Sequence, residues 1–147
     1  MSQLSKYFEE KDFELLKSIG EEVLVKKGKI IIEERTKRNE LYYILDGEVK
    51  VYSEKLGEEL VITKLGKGDF VGEIGFFLKS LRTANVKAET DVKMIKIDEK
   101  KFKKIEEEYP KLAIKMYKAL IENLSDKLAK TSIELETVNI LYKATTD

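Results

Sequence analysis

Between Glu21 and Asp98 the apolar residues come in short runs rich in β-branched and aromatic side chains, separated by Gly, Asn or Asp. The runs read VLV, KIIIEE, ELYYILDGEVKVYSE, EELVITKL and NVKAETDVKMIKID. Such residues suit a pleated surface with one face covered. About eight strands within roughly 75 residues fit a closed or double-sheet roll better than an open sheet, because a roll hides its unpaired edges. The expected class is therefore mainly β with flanking helices: an eight-stranded jelly roll, or double-stranded β-helix, carrying an N-terminal helix and a long C-terminal one.

Within that middle, Asp46-Gly47 is the dipeptide preferred by two-residue turns with positive φ, and it predicts a hairpin. Val49 and Val51 alternate with Glu48 and Lys50, and Leu60 and Ile62 repeat the alternation, so one face of these strands is predicted to be buried. Before it, Leu4, Tyr7, Phe8, Phe13, Leu15, Leu16 and Ile19 fall mostly three or four residues apart, which predicts one or two short amphipathic helices ending at Gly20.

After Asp98 the helical period returns, and Pro110 stands at a favourable first helical position. Ile114, Tyr117, Ile121, Leu124, Leu128, Thr131, Leu135, Val138 and Tyr142 follow in alternating steps of three and four, the seam of a coiled coil. A helix from Pro110 to about Tyr142 is close to 50 Å long at 1.5 Å per residue, longer than a small domain is wide. Its seam is expected to meet a second copy, giving a homodimer through Ile114 to Tyr142. Leu112, Met116 and Leu120 form a second stripe suited to packing on the chain's own roll.

The 147 residues suffice for one domain: a helical segment over 1–20, a roll over 21–98 and helices over 99–147. Lys plus Arg and Asp plus Glu each number 28, which leaves no excess charge to hold a polyanion, so no direct nucleic-acid partner is expected. The basic run KKFKK at Lys100–Lys104 is followed at once by IEEE and reads as a solvated helix face. With no His and no Cys, the usual zinc, haem and iron–sulfur ligands and the His-based nucleophile pairs are all missing. No metal and no cofactor is expected, and the chain is not expected to be an enzyme. No apolar stretch reaches bilayer-spanning length and the N-terminus lacks a signal-peptide layout, so the reading is cytoplasmic with no membrane partner.

One stretch carries a possible site. In GKGDFVGEIGFFLKSLRTANV the chain must leave the roll after EELVITKL and return at TANVKAE. Gly68, Gly72 and Gly75 allow tight turns or close approach, and Glu73–Leu78 fits a short helical turn whose free N–H groups face an anion. Arg82 offers paired hydrogen bonds to a phosphate, and Glu73 can accept from sugar hydroxyls. Together they describe a nucleotide with a small, singly charged phosphate.

GDFVGEIGFF followed by LRTA resembles the phosphate-binding cassette of cyclic-nucleotide-binding domains, the family of bacterial catabolite activators and kinase regulatory subunits. ELYYILDGEVKVY resembles the family's third and fourth strands, and the order of short helix, roll, cassette and long helix is similar throughout. The cassette would span 68–84. The resemblance implies that Glu73 and the Gly72 carbonyl hold the ribose 2′-hydroxyl, within a turn that includes Ile74. Amides near Gly75, the Arg82 guanidinium and Thr83 would take the cyclic phosphate. Val51 and Ile62 would line the pocket, and Thr131 and Ser132 on the long helix would meet the base.

The function so implied is a cyclic-nucleotide sensor, a Crp/Fnr-like regulator that signals by shifting its long helix and acts through an unknown downstream protein. The helix-turn-helix of the transcription factors is not expected, since the sequence ends at Asp147. Thr83 after the arginine points to cyclic GMP and the Thr131–Ser132 pair to adenine; cyclic AMP is favoured. Gly75 and Phe76 stand where many members carry Ala and Leu, which leaves a second expectation open: a domain that has lost or changed its ligand and serves dimerisation or interaction.

Overall fold

The computed structural model describes residues 6–37, 39–79 and 84–146. The elements are α1 Glu10–Ile19, β1 Glu21–Val25, β2 Ile30–Ile32, β3 Glu40–Asp46, β4 Val49–Lys55, β5 Glu58–Leu65 and β6 Phe70–Val71. Then follow α2 Glu73–Leu78, β7 Asn85–Ala88, β8 Val92–Asp98, α3 Glu99–Glu108 and α4 Pro110–Thr146. The eight strands form two antiparallel four-stranded sheets in the orders β1-β8-β3-β6 and β2-β7-β4-β5, the expected jelly roll.

The two orders match strand for strand. β1 runs into β2, β7 into β8, β3 into β4 and β5 into β6, so the sheets are one antiparallel ribbon bent at a line of corners. Hydrogen bonds carry the pairing round the bend: Gly28 N–H to the Ala88 carbonyl at 2.8 Å, Glu89 N–H to the Glu48 carbonyl at 2.9 Å, and Gly68 N–H to the Ile44 carbonyl at 2.9 Å.

This corrects the hairpin predicted at Asp46-Gly47. β3 and β4 belong to different sheets, and the dipeptide is a corner between them. Gly47 does take the positive φ, +95°, but for a different purpose: a Cβ there would lie 2.4 Å from the Asp91 carbonyl oxygen of the neighbouring corner. The two-residue hairpin is instead Leu56-Gly57, with φ of 55° and 79°, where Lys55 pairs with Glu58. Local turn chemistry allows either arrangement, and the partners across the corner decide which forms.

The predicted alternation holds for Val49, which is buried, and weakens at Val51, which is half-buried. It fails on β5. Leu60, Val61 and Ile62 are all exposed, because β5 pairs with β4 alone at the sheet edge. The register shifts between Val51 and Tyr52, which face Thr63 and Val61 and leave Ile62 between them.

Two apolar clusters hold the molecule. One fills the space between the sheets, built on Ile32, Ile44, Val49, Val71, Val92 and Met94. The other joins the outer face of the β1-β8-β3-β6 sheet to the helices through Leu16, Leu41, Ile95, Ile105, Leu112 and Met116. Gly20 ends α1 as predicted, its N–H bonded to the Leu16 carbonyl at 2.8 Å. In α3, Phe102 and Ile105 face the core and Lys100, Lys103 and Lys104 face solvent. The stripe of Leu112, Met116 and Leu120 packs on the chain's own roll, while Ile114, Ile121, Leu124, Leu128, Val138 and Tyr142 stay exposed. With 37 residues, α4 is about 55 Å long.

Candidate functional site

The ribbon is interrupted between β6 and β7. Gly72 turns the chain there with φ +81°, a conformation that disfavours a side chain, and serves as the N-cap of α2. Its carbonyl accepts the Phe76 N–H at 3.1 Å. Lys79, also left-handed at φ +53°, ends the helix after six residues.

Glu73 opens α2 and is only 4% exposed, the most deeply buried carboxylate among the described residues. Carboxylates are rarely buried in this way unless something compensates the lost hydration, and the first turn of a helix favours negative charge. Gly75, two residues on, is also buried. The structure thus brings Gly72, Glu73 and Gly75 into a single turn at the gap in the ribbon.

Aromatic rings tie that turn to the C-terminal helices. Phe76 lies 5.6 Å from Phe102, Phe77 lies 5.2 Å from Phe102 and 5.6 Å from Tyr117, and Phe102 lies 5.6 Å from Tyr117. Ring contacts of this kind are close-packed and directional, and here they join α2 to α3 and α4. Burial, followed by a hydrogen bond to Glu106 at 3.0 Å, pushes the Tyr117 hydroxyl above its ordinary pKa and keeps it a donor. The adjacent Phe76-Phe77 in a predicted turn was the available sequence signal for this coupling.

The other predicted residues divide clearly. Val51 packs against the inter-sheet cluster from β4. Ile62, expected in the pocket wall, is 53% exposed at the irregularity in β5, which corrects the buried setting predicted for it. Arg82 and Thr83 lie outside the described residues. Ile74, Thr131 and Ser132 lie in α2 and α4, with side chains outside those described.

Sequence reasoning missed a polar cluster at the entry to β7, formed by Glu34, Ser53 and Asn85. It also missed an open cleft of about 400 Å³ lined by Lys37, Asn39, Lys79 and Glu99, in which Lys79 and Glu99 pair at 3.8 Å. Among the described residues no group of three or more Asp or Glu is arranged to hold a metal ion, and no helix is long and apolar enough to cross a membrane.

Comparison with known proteins agrees with this architecture. The Thermus thermophilus catabolite activator protein superposes with a TM-score of 0.79 at 22% identity, covering 94% of this chain and 63% of that one. The cAMP-activated global transcriptional regulator CRP of Salmonella typhimurium is 31% identical over 96 residues, 64% of this chain and 46% of its own. The cAMP-dependent protein kinase regulatory subunit of Schizosaccharomyces pombe is 33% identical over 105 residues, 71% of this chain and 24% of its own. The chain therefore matches half or less of the length of these two relatives. The cyclic nucleotide-binding domain model matches residues 22–109, spanning the roll, the Gly72–Glu73 turn and α3. On that match, over more than half its length, the chain belongs to the cyclic nucleotide-binding domain family.

Proposed function

We propose that this domain is a sensor of a cyclic purine mononucleotide, cyclic AMP in preference to cyclic GMP, and that it has no catalytic activity of its own. The observation that carries the reading is the buried Glu73 carboxylate at the Gly72 turn, inside the ribbon gap and inside the family match. Glu73 and the Gly72 carbonyl accept from the ribose 2′-hydroxyl; the amides near Gly75, with Arg82 and Thr83, take the cyclic phosphate. Val51 and Ile62 border the sugar and base, and Thr131 and Ser132 meet the base. The preference for cyclic AMP is supported by relatives described as cAMP-activated and cAMP-dependent.

Signalling follows from differential contact. A ligand that stabilises one position of α2 biases α3 and α4 through the Phe77, Phe102 and Tyr117 rings. The exposed seam of α4 pairs with a second copy, and the balanced charge of these residues favours a protein as the downstream partner over nucleic acid. A second reading, a dimerisation or interaction module with lost or altered ligand, is supported by Phe76, whose burial in the helical core restrains the cassette helix.

Titration calorimetry with cyclic AMP and cyclic GMP separates the two. Micromolar binding of one nucleotide, reduced at least tenfold by Arg82→Ala, is expected for loss of a charge-assisted phosphate contact. Absence of binding below millimolar concentration for both nucleotides overturns the sensor reading.

A further inference from the structure

β7 lies between β2 and β4 in its sheet, and its first residue, Asn85, pairs with Tyr52 of β4. Just beyond that pair, Glu34, two residues past the end of β2, and Ser53, within β4, are bonded to each other across the front of β7. From the β2 side, the Glu34 carboxylate accepts the Ser53 hydroxyl at 2.9 Å on one oxygen and 3.2 Å on the other, and the Glu54 N–H approaches one of these oxygens at 3.5 Å. The Glu34 N–H donates to the Asn85 side-chain oxygen at 2.8 Å. Ser53 is 6% exposed, so its hydroxyl depends on this partner rather than on water.

The turn that presents Glu34 is itself restrained. Arg35 sits at φ +66°, a conformation that is strained for a non-glycine residue and persists only where neighbouring bonds enforce it. The Thr36 hydroxyl and N–H both donate to the Glu33 carbonyl, at 2.6 and 3.3 Å.

We propose that Glu34 is a positioning residue for nucleotide capture: bridged to Ser53 and Asn85, it closes a bracket around the start of β7 and fixes where the chain re-enters the sheet. Asn85 follows Arg82 by three positions in the sequence, so the bracket holds the described chain next to the residue assigned to the phosphate. This inference rests on the nucleotide reading above. A carboxylate is suited to the task because its two oxygens accept from a hydroxyl and a backbone amide at once and as a charged acceptor, which an aliphatic side chain in its place does not do.

The test compares cyclic AMP and cyclic GMP affinity in the wild type, Glu34→Ala, Ser53→Ala, the double variant and Glu34→Gln. Binding is measured well below each unfolding temperature, where all are folded by circular dichroism. Glu34→Ala and Ser53→Ala each weaken binding about tenfold, the value of one hydrogen bond to a charged group. The double variant is no worse than either single one, because both remove the same bond. Glu34→Gln, which keeps an acceptor at the same length, recovers most of the affinity. Hydrogen exchange in the unliganded protein rises at residues 84–88 in the Ala variants and stays at wild-type rates in β1 and β8.

A purely structural role lowers the unfolding temperature and leaves the affinity of folded molecules unchanged. If both single Ala variants bind like the wild type, this inference fails and the sensor reading stands. If the wild type takes up neither nucleotide, both fall together.

Discussion

The Lys115 ammonium donates to Asp12 Oδ2 at 2.7 Å, and the same oxygen accepts the Glu9 N–H at 2.8 Å. One carboxylate therefore caps the start of α1 and ties that helix to α4. About two turns further along α4, Glu122 accepts from Lys6 and from the Tyr7 hydroxyl, so the N-terminal segment is clasped to the long helix at two levels. Burial works against the Asp12 charge, but the Lys115 hydrogen bond, the Glu9 amide and nearby ammonium groups outweigh it and hold its carboxyl below the ordinary range.

Asp12→Ala is expected to lower stability by roughly 1–2 kcal/mol through the lost cap alone. Because the folded-state pKa of Asp12 is depressed, its contribution is present above the unfolded value near 4 and is lost as pH falls through the folded one. Denaturant curves of the two proteins should thus differ at pH 6 and converge toward pH 2. A gap that stays constant over that range would show that the Asp12 charge is not involved.

The corner and the hairpin predict unequal costs for the same substitution. Gly47→Ala places a methyl group 2.4 Å from the Asp91 carbonyl oxygen at φ +95°, so strain and clash add. Gly57→Ala, at φ +79°, meets nothing within 4 Å and carries the conformational cost alone, about 1 kcal/mol. Urea unfolding should show Gly47→Ala to be the more damaging by at least about 1 kcal/mol. Equal effects would mean that the bend does not hold its strands this close.

Gly20 tests space rather than conformation. Its φ of −76° suits any residue, yet a Cβ there would stand 2.2 Å from Ile95 Cγ2, in a side chain that is fully buried. Gly20→Ala should cost about 1–3 kcal/mol as an overpacked contact between α1 and β8. Its effect should shrink when combined with Ile95→Ala, which removes the opposing methyl. Thermal unfolding of the two single variants and the double variant measures that coupling, and strict additivity would rule it out.

The α4 seam gives a prediction about assembly. Leu128 is 68% exposed and touches no core cluster of its own chain, so Leu128→Glu should leave the fold intact while introducing like charges into a pairing seam. Sedimentation equilibrium at micromolar concentration is expected to show a wild-type dimer and a variant shifted toward monomer. A wild-type protein that sediments as a compact monomer would remove the dimer from the account.

From the residues alone, the jelly-roll class was legible in short β-branched runs too numerous for an open sheet, and the helix stripe of Leu112, Met116 and Leu120 in its spacing. The sequence marked Glu73 as an acid set beside glycines and an apolar run, and its burial agrees with that setting. These features are local: period, turn composition and the cost of burying a charge all act within a few residues. Strand partnership is not local. Asp46-Gly47 carries the signal of a hairpin and became a corner because β8 and β7, some forty residues away in sequence, pair with the two strands it joins. For the same reason the Asp12–Lys115 clasp and the Glu34 bracket left no mark in the sequence. Each joins residues from separate elements whose approach is set by the packing of the whole molecule, and only the tertiary structure brings those polar groups within hydrogen-bonding distance.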